Sequence, residues 1–98
     1  MAEVRWTQEA ANWLEAIYNY IAQDNPAAAG KVVAGIYQRV QLLKSFPALG
    51  QRYRVEPEGE VRLLLYGRYR IAYLTKGNET IEVLGVFHTA MDIERYLG

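Results

Sequence analysis

The chain contains no cysteine, one histidine (His88), and no run of about 18 apolar residues. Without cysteine there are no disulfides or thiolate metal sites, and a lone histidine leaves any metal site to carboxylates, so redox and zinc functions are not indicated and no cofactor is expected. A reducing cytoplasm suits such a composition. The missing apolar run argues against a membrane span, and Met1-Ala2-Glu3-Val4-Arg5 is not followed by a signal-type apolar core, so a soluble cytoplasmic protein is expected. Charge of one sign is lacking too. Eleven Lys and Arg balance eleven Asp and Glu, leaving the whole molecule without a strong field toward nucleic acid. A Gly-rich phosphate loop, a Ser-His-Asp set and paired acids in a plausible cleft are not detectable, which removes support for most enzyme classes. There is no linker, repeat or low-complexity segment. With 98 residues at 51% hydrophobic content, a single domain over 1–98 should bury roughly 60–65% of its unfolded surface.

Charge is unevenly placed within this neutral total. Residues 51–76 carry Arg52, Arg54, Arg62, Arg68, Arg70 and Lys76 against three glutamates, whereas residues 77–98 carry four acids against Arg95. Arginines on short strands commonly face water or screen sheet edges, so this pattern alone does not identify a ligand.

The apolar spacing divides the chain into a helical half and a sheet half. Val4-Arg5-Trp6 reads as a short strand, and Thr7 can cap a helix running to about Gln23, with Glu9 in its first turn. Ala10, Trp13, Leu14, Ile17 and Ile21 form its apolar face. Asp24-Asn25-Pro26 breaks the pattern, with Asn25 as the next cap and Pro26 in the first turn. Ala29, Val32, Val33, Ile36, Val40 and Leu43 then line one side of a second helix, which ends at Phe46-Pro47-Ala48-Leu49-Gly50. Beyond Gly50 the period becomes alternating. Turn signals at Glu56-Pro57-Glu58-Gly59, Gly67-Arg68 and Gly77-Asn78 define an antiparallel meander with strands near 51–55, 61–66, 69–75 and 80–87.

In the third of these strands Tyr69, Ile71 and Tyr73 should share one face and Arg70, Ala72 and Leu74 the other. In the last, strict alternation groups Leu84, Val86 and His88 against Ile81, Val83 and Phe87, while Gly85 permits a bulge or a close approach. Thr89 to Asp92 has the spacing of a capping box for a short terminal helix. The expected architecture is α+β, an N-terminal strand and helical hairpin packed on an antiparallel β-sheet with a short C-terminal helix.

Arg62, Arg70, His88 and Tyr96 are the residues whose chemistry suits a phosphodiester. Metal-independent RNA cleavage needs proton transfer at the 2′-hydroxyl and leaving oxygen, and cations for the charged transition state, each contribution worth on the order of 2–5 kcal/mol. The same residues have structural readings. His88 fits a hydrogen-bonded strand end, Arg70 a cross-strand pair with Glu82, Arg62 a solvated strand position, and Tyr96 a ring packed on the sheet.

Trp13-Leu14-Glu15-Ala16-Ile17-Tyr18, Phe46-Pro47-Ala48-Leu49-Gly50, Tyr69-Arg70-Ile71-Ala72-Tyr73 and Val83-Leu84-Gly85-Val86-Phe87-His88, in this order and spacing, resemble the ParE/RelE superfamily of type II toxin–antitoxin toxins, which includes plasmid stabilisation proteins. The resemblance covers nearly the whole chain. It implies a small toxin held silent by a cognate ParD-like or RelB-like antitoxin, with operator DNA bound only through that antitoxin. For the antitoxin contact, Tyr18, Tyr20, Ile36 and Tyr37 are candidates, each also readable as ordinary core or flank.

The two branches of the superfamily imply different targets, DNA gyrase for ParE and messenger RNA on the ribosome for RelE. RelE-like nucleases are typically strongly basic and add basic residues at the end of the last strand, whereas this chain is neutral and has Thr89-Ala90-Met91 there. Its tail resembles ParE more closely. The ParE branch implies inhibition of gyrase, with Met91, Ile93, Arg95 and Tyr96 as candidate contacts. The RelE branch would assign His88 to proton transfer, Arg70 to the scissile phosphate, Arg62 to backbone or transition-state charge and Tyr96 to base stacking. A detoxified antitoxin-binding and repression module is a third reading.

Overall fold

A computed structural model describes residues 1–77 and 79–98; the Asn78 half of the expected Gly77-Asn78 turn lies outside the described residues. The elements run β1 (Glu3–Trp6), α1 (Gln8–Ala22), α2 (Pro26–Gln41), a short 3-10 turn (Leu42–Lys44), β2 (Gln51–Glu56), β3 (Gly59–Tyr66), β4 (Tyr69–Lys76), β5 (Thr80–His88) and α3 (Glu94–Leu97). The helix starts follow from side-chain capping. Thr7 Oγ1 accepts the Ala10 N–H at 3.1 Å while donating to the Val83 carbonyl at 2.8 Å, so one hydroxyl begins α1 and ties it to β5. Asn25 Oδ1 accepts the Ala28 N–H at 3.1 Å, and Pro26 opens α2, where its missing amide hydrogen costs nothing.

The sheet order is β1-β5-β4-β3-β2. β2 to β5 form the antiparallel meander, and β1 lies parallel to β5 at the other edge. The α1–α2 hairpin covers one face. Ala10 from α1 and Ile36, Val40 and Leu43 from α2 and the 3-10 turn are fully buried there against Leu64, Ile71, Tyr73, Ile81, Val83 and Val86. Gly67, at φ +55°, makes the two-residue turn between Tyr66 and Tyr69 that a side-chain-bearing residue would strain.

Two bulges re-aim side chains. In β5, Ala72 pairs with Gly85 and Tyr73 with Val83, so Leu84 is an extra residue. From there the parity changes. Val86, not Phe87, continues the Ile81 and Val83 face, while Leu84 and Phe87 belong to a second apolar cluster with Ala72 and Ile93. This corrects the strict alternation expected for the strand. In β2, Arg52 pairs with Arg62 and Arg54 with Val61, so the bulge at Tyr53 puts Arg52 and Arg54 on opposite faces.

The chain after His88 folds back under the sheet. Ile93 and Leu97 pack in the second cluster, on the face away from the hairpin. The capping box expected at Thr89 to Asp92 does not form: α3 begins at Glu94, with no side-chain cap at Ile93, and Asp92 Oδ1 accepts the Glu94 N–H at 3.3 Å. The Met91 N–H instead reaches back to the His88 carbonyl at 2.9 Å, a turn that spends these residues on reversing the chain.

Candidate functional site

Two bodies of surface carry the residues that the sequence singles out, the folded-back C-terminal segment and the outer side of the helical hairpin. The C-terminal segment is organised by aromatic rings. Phe87, fully buried on β5, lies 4.8 Å from Trp13 of α1 and 5.6 Å from Tyr96, and Tyr96 meets Trp13 edge-on at 5.2 Å. Such pairs contribute about 0.5–1.5 kcal/mol each beyond area burial. Tyr96 stays 47% exposed, and Asp92, Glu94 and Arg95 are exposed beside it, whereas Met91 is half-buried. Ile93, at 5% exposure, is turned into the fold. Of the four expected target contacts, Arg95 and Tyr96 are displayed, Met91 is partly so, and Ile93 is a docking residue instead.

Two arginines hold this segment through backbone carbonyls. Arg70 of β4 donates from Nη2 to the Met91 carbonyl at 2.9 Å, and Arg54 of β2 donates from Nη2 to the Leu97 carbonyl at 2.8 Å and from Nη1 to the Gly98 carbonyl. Arg54 escapes sequence reasoning, because its partners are carbonyls 43 and 44 residues away and the bulge that aims it has no marked signature. The expected Arg70–Glu82 pair is absent. Arg70 is registered with Phe87, and Glu82 pairs with Lys76 at 3.2 Å.

The four residues proposed for phosphodiester chemistry do not converge. Arg62 is opposite Tyr73 and His88 opposite Tyr69, both on the hairpin face, whereas Arg70 and Tyr96 are on the Phe87 face. Along β4 the Arg62 and His88 positions are four residues apart, about 13 Å. Arg62 is fully engaged: it donates to Glu60 Oε1 at 3.0 Å, to the Gly50 carbonyl at 2.7 Å and to the Ala48 carbonyl at 3.3 Å. Hydrogen bonds from Arg62, then from Arg52, hold the Glu60 carboxyl below the ordinary carboxylate value. His88 Nδ1 accepts the Ala90 N–H at 3.0 Å, which places the neutral ring's proton on Nε2. The sheet thus separates these groups into two structural roles, securing the 46–50 loop and reversing the chain after β5. Among the described residues no group of three or more His, Asp or Glu is placed to hold a metal ion.

The candidate antitoxin contacts divide similarly. Tyr18 and Tyr37 line a largely apolar groove of about 400 Å³ on the hairpin together with Trp6, Leu14, Glu15 and Val33. Trp6 stacks on Tyr37 at 6.3 Å, and its indole N–H is buried without a hydrogen-bond partner among the described residues. Tyr20 is 76% exposed and belongs elsewhere, to a cavity of about 550 Å³ with Trp13, Ile17, Arg68, Tyr69, His88 and Met91 among its walls. Ile36 is fully buried in the main core and is not on the groove's surface. Its helical spacing is that of the buried face.

Residues 4–93 match the family model of the ParE toxin of type II toxin–antitoxin systems. The chain belongs to the ParE toxin family. Among similar proteins, "Putative toxin Y4kP" of Sinorhizobium fredii is 36% identical over 85 residues, spanning 87% of this chain and 85% of that one. A chain of the chromosomal ParDE toxin–antitoxin system from P. aeruginosa superposes with a TM-score of 0.72 at 29% identity, covering 90% of this chain and 96% of its own length. The RelBE2 toxin–antitoxin complex from Mycobacterium tuberculosis also contains a similar chain, with a TM-score of 0.55 at 26% identity and coverage of 89% and 96%. The five-stranded sheet, helical hairpin and short terminal helix of this ParE-family toxin are the α+β fold expected from its sequence. Among the described residues no helix is long and apolar enough to cross a membrane.

Proposed function

We propose that this ParE-family toxin arrests growth in the cytoplasm by binding DNA gyrase so that the enzyme's DNA-cleavage complex persists, and that a ParD-like antitoxin neutralises it. The separation of Arg62 and His88 from Arg70 and Tyr96 by the sheet carries this reading. A phosphodiester cleavage site needs its acid, base and cations around one scissile bond. A binding inhibitor needs only a fixed surface. The exposed Asp92, Glu94, Arg95 and Tyr96 supply one, and the apolar groove between α1 and α2 suits an apolar antitoxin segment. In this reading operator DNA is contacted through the antitoxin, the molecule's balanced charge giving the toxin no field of its own for DNA.

Supercoiling of plasmid by purified gyrase tests the proposal. Added toxin should inhibit supercoiling, and detergent treatment of the reaction should release linear DNA from trapped complexes. Undisturbed supercoiling in the presence of folded protein that still arrests growth would overturn it in favour of ribosome-dependent cleavage of messenger RNA. Folded protein that neither inhibits gyrase nor arrests growth would instead identify a detoxified antitoxin-binding module.

A further inference from the structure

We infer that Arg54 and Arg70 are positioning residues for target recognition, clamping the two ends of residues 91–98 so that the exposed side of α3 meets gyrase in one orientation; this rests on the gyrase reading above. Helix length is the starting point. α3 has four residues, far below the roughly 12–15 at which an isolated helix becomes even marginal in water. Its order is borrowed from the sheet beneath it. Ile93 and Leu97 provide apolar anchorage on Ala72 and Phe87, but apolar contact is non-directional and leaves rotation about the anchor weakly specified.

Direction comes from the guanidiniums. The last carbonyls of a helix have no partner within it and carry the negative end of its dipole, so a cationic donor there satisfies both needs. Arg54 occupies that position, bridging the Leu97 and Gly98 carbonyls from β2. Glu56 Oε1 lies 2.7 Å from its Nε as an ion pair without hydrogen-bond alignment, and the Tyr53 ring lies 5.8 Å from its guanidinium carbon. At the other end of the segment Arg70, two strands away on β4, fixes the Met91 carbonyl where the chain enters. A segment held by directional bonds at both ends and by a hydrophobic contact between them has one orientation. In that orientation Tyr96 stacks on Phe87, and Glu94 and Arg95 are left outside.

The test compares wild type with R54A and R70A in two readouts, gyrase supercoiling inhibition and hydrogen exchange at the amides of Tyr96, Leu97 and Gly98. These amides donate within α3, to the carbonyls of Ile93 and Glu94. Each alanine variant is expected to need about tenfold more protein for half-inhibition, the scale of one lost charge-assisted hydrogen bond. Its α3 amides should exchange fast while the β3–β5 amides remain protected. Should R54A fail to fold, R54K gives the same comparison, since one ammonium cannot reproduce the paired guanidinium donors. Variants with unprotected α3 amides and wild-type inhibition would overturn the inference, as would variants whose α3 protection is unchanged. Wild-type protein that leaves gyrase untouched fails differently, bringing down the gyrase reading and this inference together.

Discussion

Tyr73 shows how one hydroxyl can organise a loop that has no regular structure. Its ring is buried in the main core, and its hydroxyl donates to the Pro47 carbonyl at 2.8 Å while accepting the Gly50 N–H at 2.8 Å. The 46–50 crossing from helix to sheet is therefore pinned from the middle of β4. Tyr73→Phe should cost about 2 kcal/mol in urea denaturation, chiefly because the buried Gly50 N–H is left without an acceptor. The same hydroxyl gives a pH signature. Burial raises its pKa above the ordinary tyrosine value, an effect partly offset by the Gly50 N–H. The unfolded chain ionises this group near about pH 10, so its contribution to stability is intact below that pH and is lost as pH rises through the higher folded value. Wild-type thermal unfolding should fall in that alkaline window, and Tyr73→Phe should flatten that part of the slope.

At the scale of elements, the bulge in β5 decides which faces Val86, Phe87 and His88 occupy. Gly85 follows the extra residue Leu84, and a Cβ on Gly85 would come within 2.4 Å of the Phe87 ring. That ring is held by Trp13 and Tyr96 and has little room to move. Gly85→Ala should therefore destabilise the protein by about 2 kcal/mol, the range of overpacking in a filled core. Loss of near-ultraviolet circular dichroism from the displaced aromatic trio should accompany it; unchanged stability and spectrum would show that the strand relaxes at no cost. The elements themselves were legible in the sequence, because caps at Thr7 and Asn25, apolar spacing and turn residues are local signals. Bulges are not. A glycine in a strand permits one without specifying it, so the exchange of Phe87 for Val86 on the hairpin face was hidden. The same limit applies at Tyr53, whose bulge turns Arg54 toward α3; the β5 bulge puts His88 on the hairpin face, while Arg62 and Arg70 lie on opposite faces through the regular β3–β4 register. Ile36 and Ile93 carry a related lesson, since apolar periodicity marks a buried face as readily as a contact face.

At the scale of the whole molecule, the two candidate surfaces share α1 but no side chain. The hairpin groove is built by side chains of β1, α1 and α2, and the C-terminal surface by β2, β4, β5 and α3 together with Trp13 of α1. Neutralisation and target binding should consequently be separable by mutation. Tyr37 is the suitable lever, because it is 51% exposed and flanks the groove opposite Trp6, so a replacement there removes little from the core. Tyr37→Glu would add a second carboxylate, with Glu15, to a largely apolar groove, and an antitoxin segment seated there would have to desolvate it without a partner. The expected result is growth arrest as in wild type that co-expressed antitoxin relieves poorly, with dissociation of the purified complex faster by about tenfold or more. Full relief with an unchanged dissociation rate would exclude the groove as the antitoxin's seat. Loss of arrest with a folded protein would show that the hairpin also contributes to the target surface, so that the two functions compete for one face of the molecule.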